Sequence, residues 1–159
     1  MLFRSGHDKI VELLLSKGAD VNAQRGDYGS ALQAASFEGH DKVVELLLSK
    51  GADVNAQGGQ YGSALVAASR EGHNKIVELL LSKGADVNAQ EGHYGNALVA
   101  ALREGHDKIV KLLLSKGADV NAQGGEDGSA LQAASFGGHD KIVELLLSKG
   151  TDVNAIESE

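Results

Sequence analysis

The chain has 159 residues, no cysteine, no proline and a formal net charge of −7. Without cysteine there is no disulfide framework and no thiol chemistry, and no apolar run approaches the roughly 18 residues that a membrane span needs. The acidic balance argues against general nucleic-acid binding, which draws on a basic surface that displaces counterions.

The opening residues, MLFRSGHDKI, are too short and too polar for a secretory leader. No Asn-x-Ser/Thr site occurs, so the expected setting is cytoplasmic. Taken in order, the chain repeats. Gly-His occurs at Gly6, Gly39, Gly72, Gly105 and Gly138, and Asp-Val-Asn-Ala starts at Asp20, Asp53, Asp86, Asp119 and Asp152, a step of 33 in both series. A fixed period in this range signals a solenoid. The expected organisation is one domain, 1–159. It divides into a partial unit 1–23, complete units 24–56, 57–89, 90–122 and 123–155, and an acidic tail 156–159.

The partial unit contributes one helix after Asp8. Residues 24–56 show what a complete unit builds. QRGDYG is turn chemistry, with Gly26 and Gly29 supplying backbone freedom. Ser30 is an N-cap with Gln33 three residues on, the arrangement of a capping box. The spacing predicts a short first helix, about Ala31 to Glu38, stopped by Gly39. Asp41 is expected to cap a second helix, with Asp8, Asn74, Asp107 and Asp140 in the same role. That helix carries Val43, Val44, Leu46, Leu47 and Leu48 and ends at Gly51. First helices pack with alanines and second helices with leucines, so stacked first helices approach more closely and the stack curves toward them. Each unit buries its flank only against its neighbours.

The stretch GHDKVVELLLSKGADVNA (39–56) and its copies resemble the ankyrin-repeat family, whose 33-residue unit is a turn and two antiparallel helices with a Thr-Pro-Leu-His signature. The resemblance spans essentially the whole chain and implies an all-α solenoid of about four and a half units. It also implies partner binding by the turn tips and the concave face of the first helices. The signature itself departs: Thr-Pro-Leu-His becomes Ser30-Ala31-Leu32-Gln33 or Asn96-Ala97-Leu98-Val99. The family's histidine, which links neighbouring turns, falls at Gln33, Val66, Val99 and Gln132. Gln partly replaces it and Val does not, which puts the turn brace in question for the two middle units. The wording YGSALQAAS and GADVNAQGG is similar to arrays at the C-terminal end of fungal NACHT-type signalling NTPases, which implies a sensing segment.

Candidate chemistry reduces to architecture. His7, His40, His73, His106 and His139 fall one per unit. Neighbouring helices lie about 8–10 Å apart, whereas zinc draws its ligands within about 2.1 Å of the ion. A structural turn role is expected, with no metal. The Asp20, Asp53, Asp86, Asp119 and Asp152 series stands beside an Asn two residues on and reads as loop hydrogen bonding. Ser49, Ser82 and Ser115 lie in no Gly-x-Ser-x-Gly elbow, and no phosphate-binding Gly-x-x-x-x-Gly-Lys-Ser/Thr loop occurs. The expectation is no enzyme and no cofactor. Tyr28, Tyr61 and Tyr94 recur at one turn position, broken by Asp127, and read as a packed or stacked brace, with a contribution to a partner surface as the alternative.

Positions that differ between copies are not demanded by the stack. At the tips these are Asp27, Gln60, His93 and Glu126, and two residues earlier Arg25, Gly58, Glu91 and Gly124. On the first helix they are Phe37, Arg70, Arg103 and Phe136, and Ser36, Ser69, Leu102 and Ser135. The expected partner-binding set is Arg25, Asp27, Phe37, Gln60, Arg70, Glu91, His93, Leu102, Arg103, Glu126 and Phe136. Arg and aromatic residues are favoured interface anchors. The Gln33/Val66/Val99/Gln132 series has internal packing as its plainer reading. Drift on a solvated face is the alternative for the rest, and a structural spacer or an engineered scaffold are the alternatives for the whole. The expected partner is a protein, with neither nucleic acid nor membrane. The unit 1–23 enters mid-repeat and the last second helix lacks polar cap substitutions. That predicts either a segment of a larger protein or head-to-tail self-association.

Overall fold

The computed structural model describes residues 8–90, 92–125 and 128–150. In chain order the helices are α1 (Asp8–Ser16), α2 (Ala31–Glu38), α3 (Asp41–Ser49), α4 (Ala64–Glu71), α5 (Asn74–Ser82), α6 (Ala97–Glu104), α7 (Asp107–Ser115), α8 (Ala130–Phe136) and α9 (Asp140–Ser148). Among the described residues no longer strand forms. Two isolated bridges, Gly58 with Gly62 and Gln123 with Ser129, close turns. The expected all-α solenoid of helix pairs is what the chain builds.

The first helices begin as the sequence predicts. Ser30 accepts from the Gln33 backbone N–H while Gln33 Oε1 accepts from Ser30 N–H, and Ser129 and Gln132 repeat this. Such a cap contributes about 1 kcal/mol. Ser63 and Asn96 cap α4 and α6 by the single bond to Val66 and Val99. The second helices differ from expectation. Asp41, Asn74, Asp107 and Asp140 are the first helical residues. The flanking positions are His40, His73, His106 and His139, with no side-chain cap bond. A carboxylate in the first turn still favours the helix dipole, while the imidazoles of His73, His106 and His139 bond across the unit boundary.

The core runs through the stack as one layer. Leu32, Leu65 and Leu98 from the first helices, and Val44, Val77 and Val110 from the second, are all at most 2% exposed. Alanines at 35, 68 and 101 are equally enclosed. First helices of neighbouring units pack on one another more extensively than second helices do, as the alanine and leucine faces predict.

Two ladders tie the units together. Asp53, Asp86 and Asp119 each accept through Oδ1 from the backbone N–H of the Asn two residues on, as expected. Those asparagines also cross between units. Asn55 Nδ2 donates to Gly84 O at 3.0 Å, and Asn55 Oδ1 accepts from Asp86 N–H at 2.7 Å. Asn22 and Asn88 repeat the clamp. Asp152 lies outside the described residues.

The second ladder is the histidines. His73 Nε2 donates to Phe37 O at 2.9 Å, and His106 Nε2 donates to Arg70 O at 2.8 Å. His139 does the same to Arg103 O at 3.3 Å. A Cβ on Gly39, Gly72 or Gly105 would meet the imidazole of the following unit. Glycine and histidine therefore recur together because the glycine of one unit makes room for the histidine of the next.

Candidate partner-binding face

The tips between helix pairs stack backbone on backbone. Gln60 N–H donates to Asp27 O at 2.8 Å, and His93 N–H donates to Gln60 O at 3.4 Å. Gly59 packs so closely on the preceding tip that a Cβ would lie 2.7 Å from Asp27 O. The backbone is pinned while the side chains of Arg25, Asp27, Gln60 and His93 are exposed. Glu91, Glu126 and Asp127 lie outside the described residues.

Behind the tips runs a row of rings. Tyr28 and Tyr61 stack at 6.4 Å, and Tyr61 and Tyr94 stack at 5.6 Å with planes 7° apart. The tyrosines are thus the expected brace. Phe37 joins them, 4.7 Å from Tyr61 and 5.5 Å from Tyr28. It is half-buried rather than freely displayed as the sequence suggested, because an aromatic at this position meets the tyrosine of the next unit. Arg70 takes the same place one unit on, with its guanidinium 4.7 Å from the Tyr94 ring and 3.0 Å from Glu71. Arg103 lies 5.2 Å over Phe136, which is 73% exposed. The varied series Phe37, Arg70, Arg103 and Phe136 is therefore the accessible border of two aromatic and cationic groups, one of Tyr28, Phe37, Tyr61, Tyr94 and Arg70 and one of Arg103 and Phe136. Burial pushes the Tyr61 phenol above its ordinary range, and the Arg70 guanidinium partly opposes this.

Leu102 does not belong to this face. It is fully buried, and Ser36 and Ser69 at the same position are buried too. The reason was present in the spacing: Leu98 and Leu102 stand i, i+4 on one helix, so they share the core-facing side. The Gln33 and Val66 series is internal, as its plainer reading held. Gln33 is 1% exposed and its Nε2 donates to Gly58 O at 2.7 Å and Gly62 O at 3.1 Å. Val66 and Val99 pack in the core and make no such bond, so in their units the tip contacts and the tyrosine stack carry the brace.

The family model for ankyrin repeats, in three copies, matches residues 2–91 and 65–157. The chain belongs to the ankyrin-repeat family. No curated protein matches it. Ankyrin repeats are generally protein-interaction modules, and among the positions that differ between copies Arg25, Asp27, Gln60, His93 and Phe136 are exposed.

No group of three or more His, Asp or Glu residues among the described residues is placed to hold a metal ion. On the second-helix side a cleft of about 510 Å³ is lined by Lys111, Leu114, Ser115, Asp119, Leu145 and Lys149, among others. Within it Ser115 donates to Leu112 O, and Asp119 accepts from Asn121 N–H. No described helix is long and apolar enough to cross a membrane.

Proposed function

We propose that this array recognises a protein partner through the tips and first helices, as the recognition segment of a larger cytoplasmic signalling or sensor protein, and that it performs no catalysis. One observation carries the reading. The positions that change between copies, at 37, 70, 103 and 136, stand at the accessible border of the two aromatic and cationic groups, while the carbonyls of Phe37, Arg70 and Arg103 are held by recurring histidines. A rigid backbone presenting variable side chains lowers the ordering cost of binding. Arginines over aromatic rings offer flat cationic surfaces suited to carboxylates and apolar side chains. With its acidic charge, the chain suits neither nucleic acid nor an anionic membrane surface. Side-by-side capture of proteins by the array and by Arg70→Glu/Arg103→Glu tests this. A protein retained by the first and lost by the second supports the reading, and identical retention contradicts it.

A further inference from the structure

One charge sets α7 apart from its copies. The second helices carry Glu at 12, 45, 78 and 144, and Lys at 111. Packing did not require the change. Lys111 is exposed, while Ile109, Val110 and Leu113 keep the buried places that Ile76, Val77 and Leu80 hold in α5.

Lys111 and Leu114 stand i, i+3 on one face of α7. Across from them on α9 are Leu145 and Lys149, spaced i, i+4. These two faces are walls of the cleft of about 510 Å³ on the second-helix side. The walls belong to consecutive units, so the cleft is a feature of a unit boundary within the array. Leu114, Val120 and Leu145 are its half-buried apolar groups, and Lys111, Asp119 and Lys149 are its charged ones.

The copies serve as controls for that charge. Stepping back by 33, the equivalent sets are Glu78, Asp86 and Lys116, then Glu45, Asp53 and Lys83, then Glu12, Asp20 and Lys50. Each has two carboxylates and one lysine. The boundary of α7 and α9 has two lysines and one carboxylate, in a chain whose net charge is −7. Asp119 Oδ1 already accepts from Asn121 N–H. Among the described residues, neither Lys111 nor Lys149 forms an ion pair. Two ammonium groups bordering one cleft repel each other, and an anion between them turns that repulsion into attraction. Their stems extend the apolar lining while the charged heads stay at the rim.

We propose that this cleft binds a small organic anion with an apolar body. A carboxylate sits between Lys111 and Lys149, and the hydrocarbon or aromatic part lies against Leu114, Val120 and Leu145. The volume falls in the range of small-molecule sites, which combine apolar walls with a few polar groups. The site lies on the second-helix side, away from the tips and first helices, and does not depend on a protein partner there.

Titration of the full chain with 2-naphthoate, followed by the methyl resonances of Leu114 and Leu145, tests the proposal. Both should shift and saturate, with a midpoint of about 1 mM or below. Naphthalene-2-methanol, the same ring system without the charge, should bind about tenfold more weakly. Lys111→Glu restores the residue of the other four second helices, so the fold tolerates it. It should weaken naphthoate about tenfold and leave the alcohol unchanged. Absence of a saturating shift at Leu114 and Leu145 overturns the proposal. So does equal binding of acid and alcohol, and so does naphthoate binding that Lys111→Glu does not move. Binding that appears only in a Glu157→Gln/Glu159→Gln chain assigns the cleft to the chain's own acidic residues and overturns it too.

Discussion

The imidazole of His106 donates to the carbonyl oxygen of Arg70 at 2.8 Å, across a unit boundary. The recurring residue of one unit thus fixes the backbone under the variable residue of the unit before it. Scaffold and candidate site are the same construction, seen from two sides.

Loss of that bond leaves a partly buried carbonyl without its partner. His106→Ala should destabilise the array by about 1–2 kcal/mol, read as a lowered midpoint in urea. His93→Ala, at an exposed tip, should change it by less than about 0.5 kcal/mol.

Gly59 and Gly84 both have positive φ, +67° and +91°. A Cβ at Gly59 would meet backbone atoms of Asp27, Tyr28 and Gly29, whereas one at Gly84 meets nothing within 4 Å. Gly84→Ala should therefore cost only the left-handed backbone, about 1 kcal/mol. Gly59→Ala should cost clearly more, since two tips must separate. Comparing the two thermal midpoints checks this.

Ser69 Oγ is buried with no hydrogen-bond partner among the described residues, and Leu102 occupies the same position one unit on. Removing the hydroxyl relieves its desolvation and improves helix propensity. Ser69→Ala should stabilise the array by about 1 kcal/mol, measured by chemical unfolding.

Tyr61 has a phenol pKa raised by burial above the ordinary value of 10.0. The phenol of the folded chain stays neutral where that of the unfolded chain ionises. Its contribution to stability is present below pH 10 and is lost as pH rises through the folded value. Tyr61→Phe should reduce the fall in thermal midpoint between pH 8 and a pH above 10, relative to the unaltered chain.

How far the sequence could be read follows from what repeats. Ser30, Gln33 and Gly39 announce the first helix and its ends because capping is local chemistry, and the structure keeps all three roles. Asp41 misled because a good capping residue also suits the first helical turn; a histidine takes the flanking position before each second helix, and those at 73, 106 and 139 reach across to the previous unit. That 36-residue reach leaves no trace in local spacing, nor does the clamp from Asn55 to Gly84. The candidate face was legible as copy-to-copy variation, but variation alone does not tell surface from core. Leu102 varies because a buried serine and a buried leucine both fit between first helices. Phe37 was recognisable as variable, while its packing on Tyr61 depends on the 24-residue separation that stacking closes.

The central claim is that tips and first helices form the recognition face. A photo-crosslinking residue placed at Gln60, on an exposed tip, and separately at Lys108, exposed on the second-helix side, tests it most directly in lysate of the source cells. The account predicts a discrete partner adduct from position 60, absent from position 108 and abolished by Arg70→Glu/Arg103→Glu. Adducts from position 108 with none from position 60, in an array that remains folded, would contradict it.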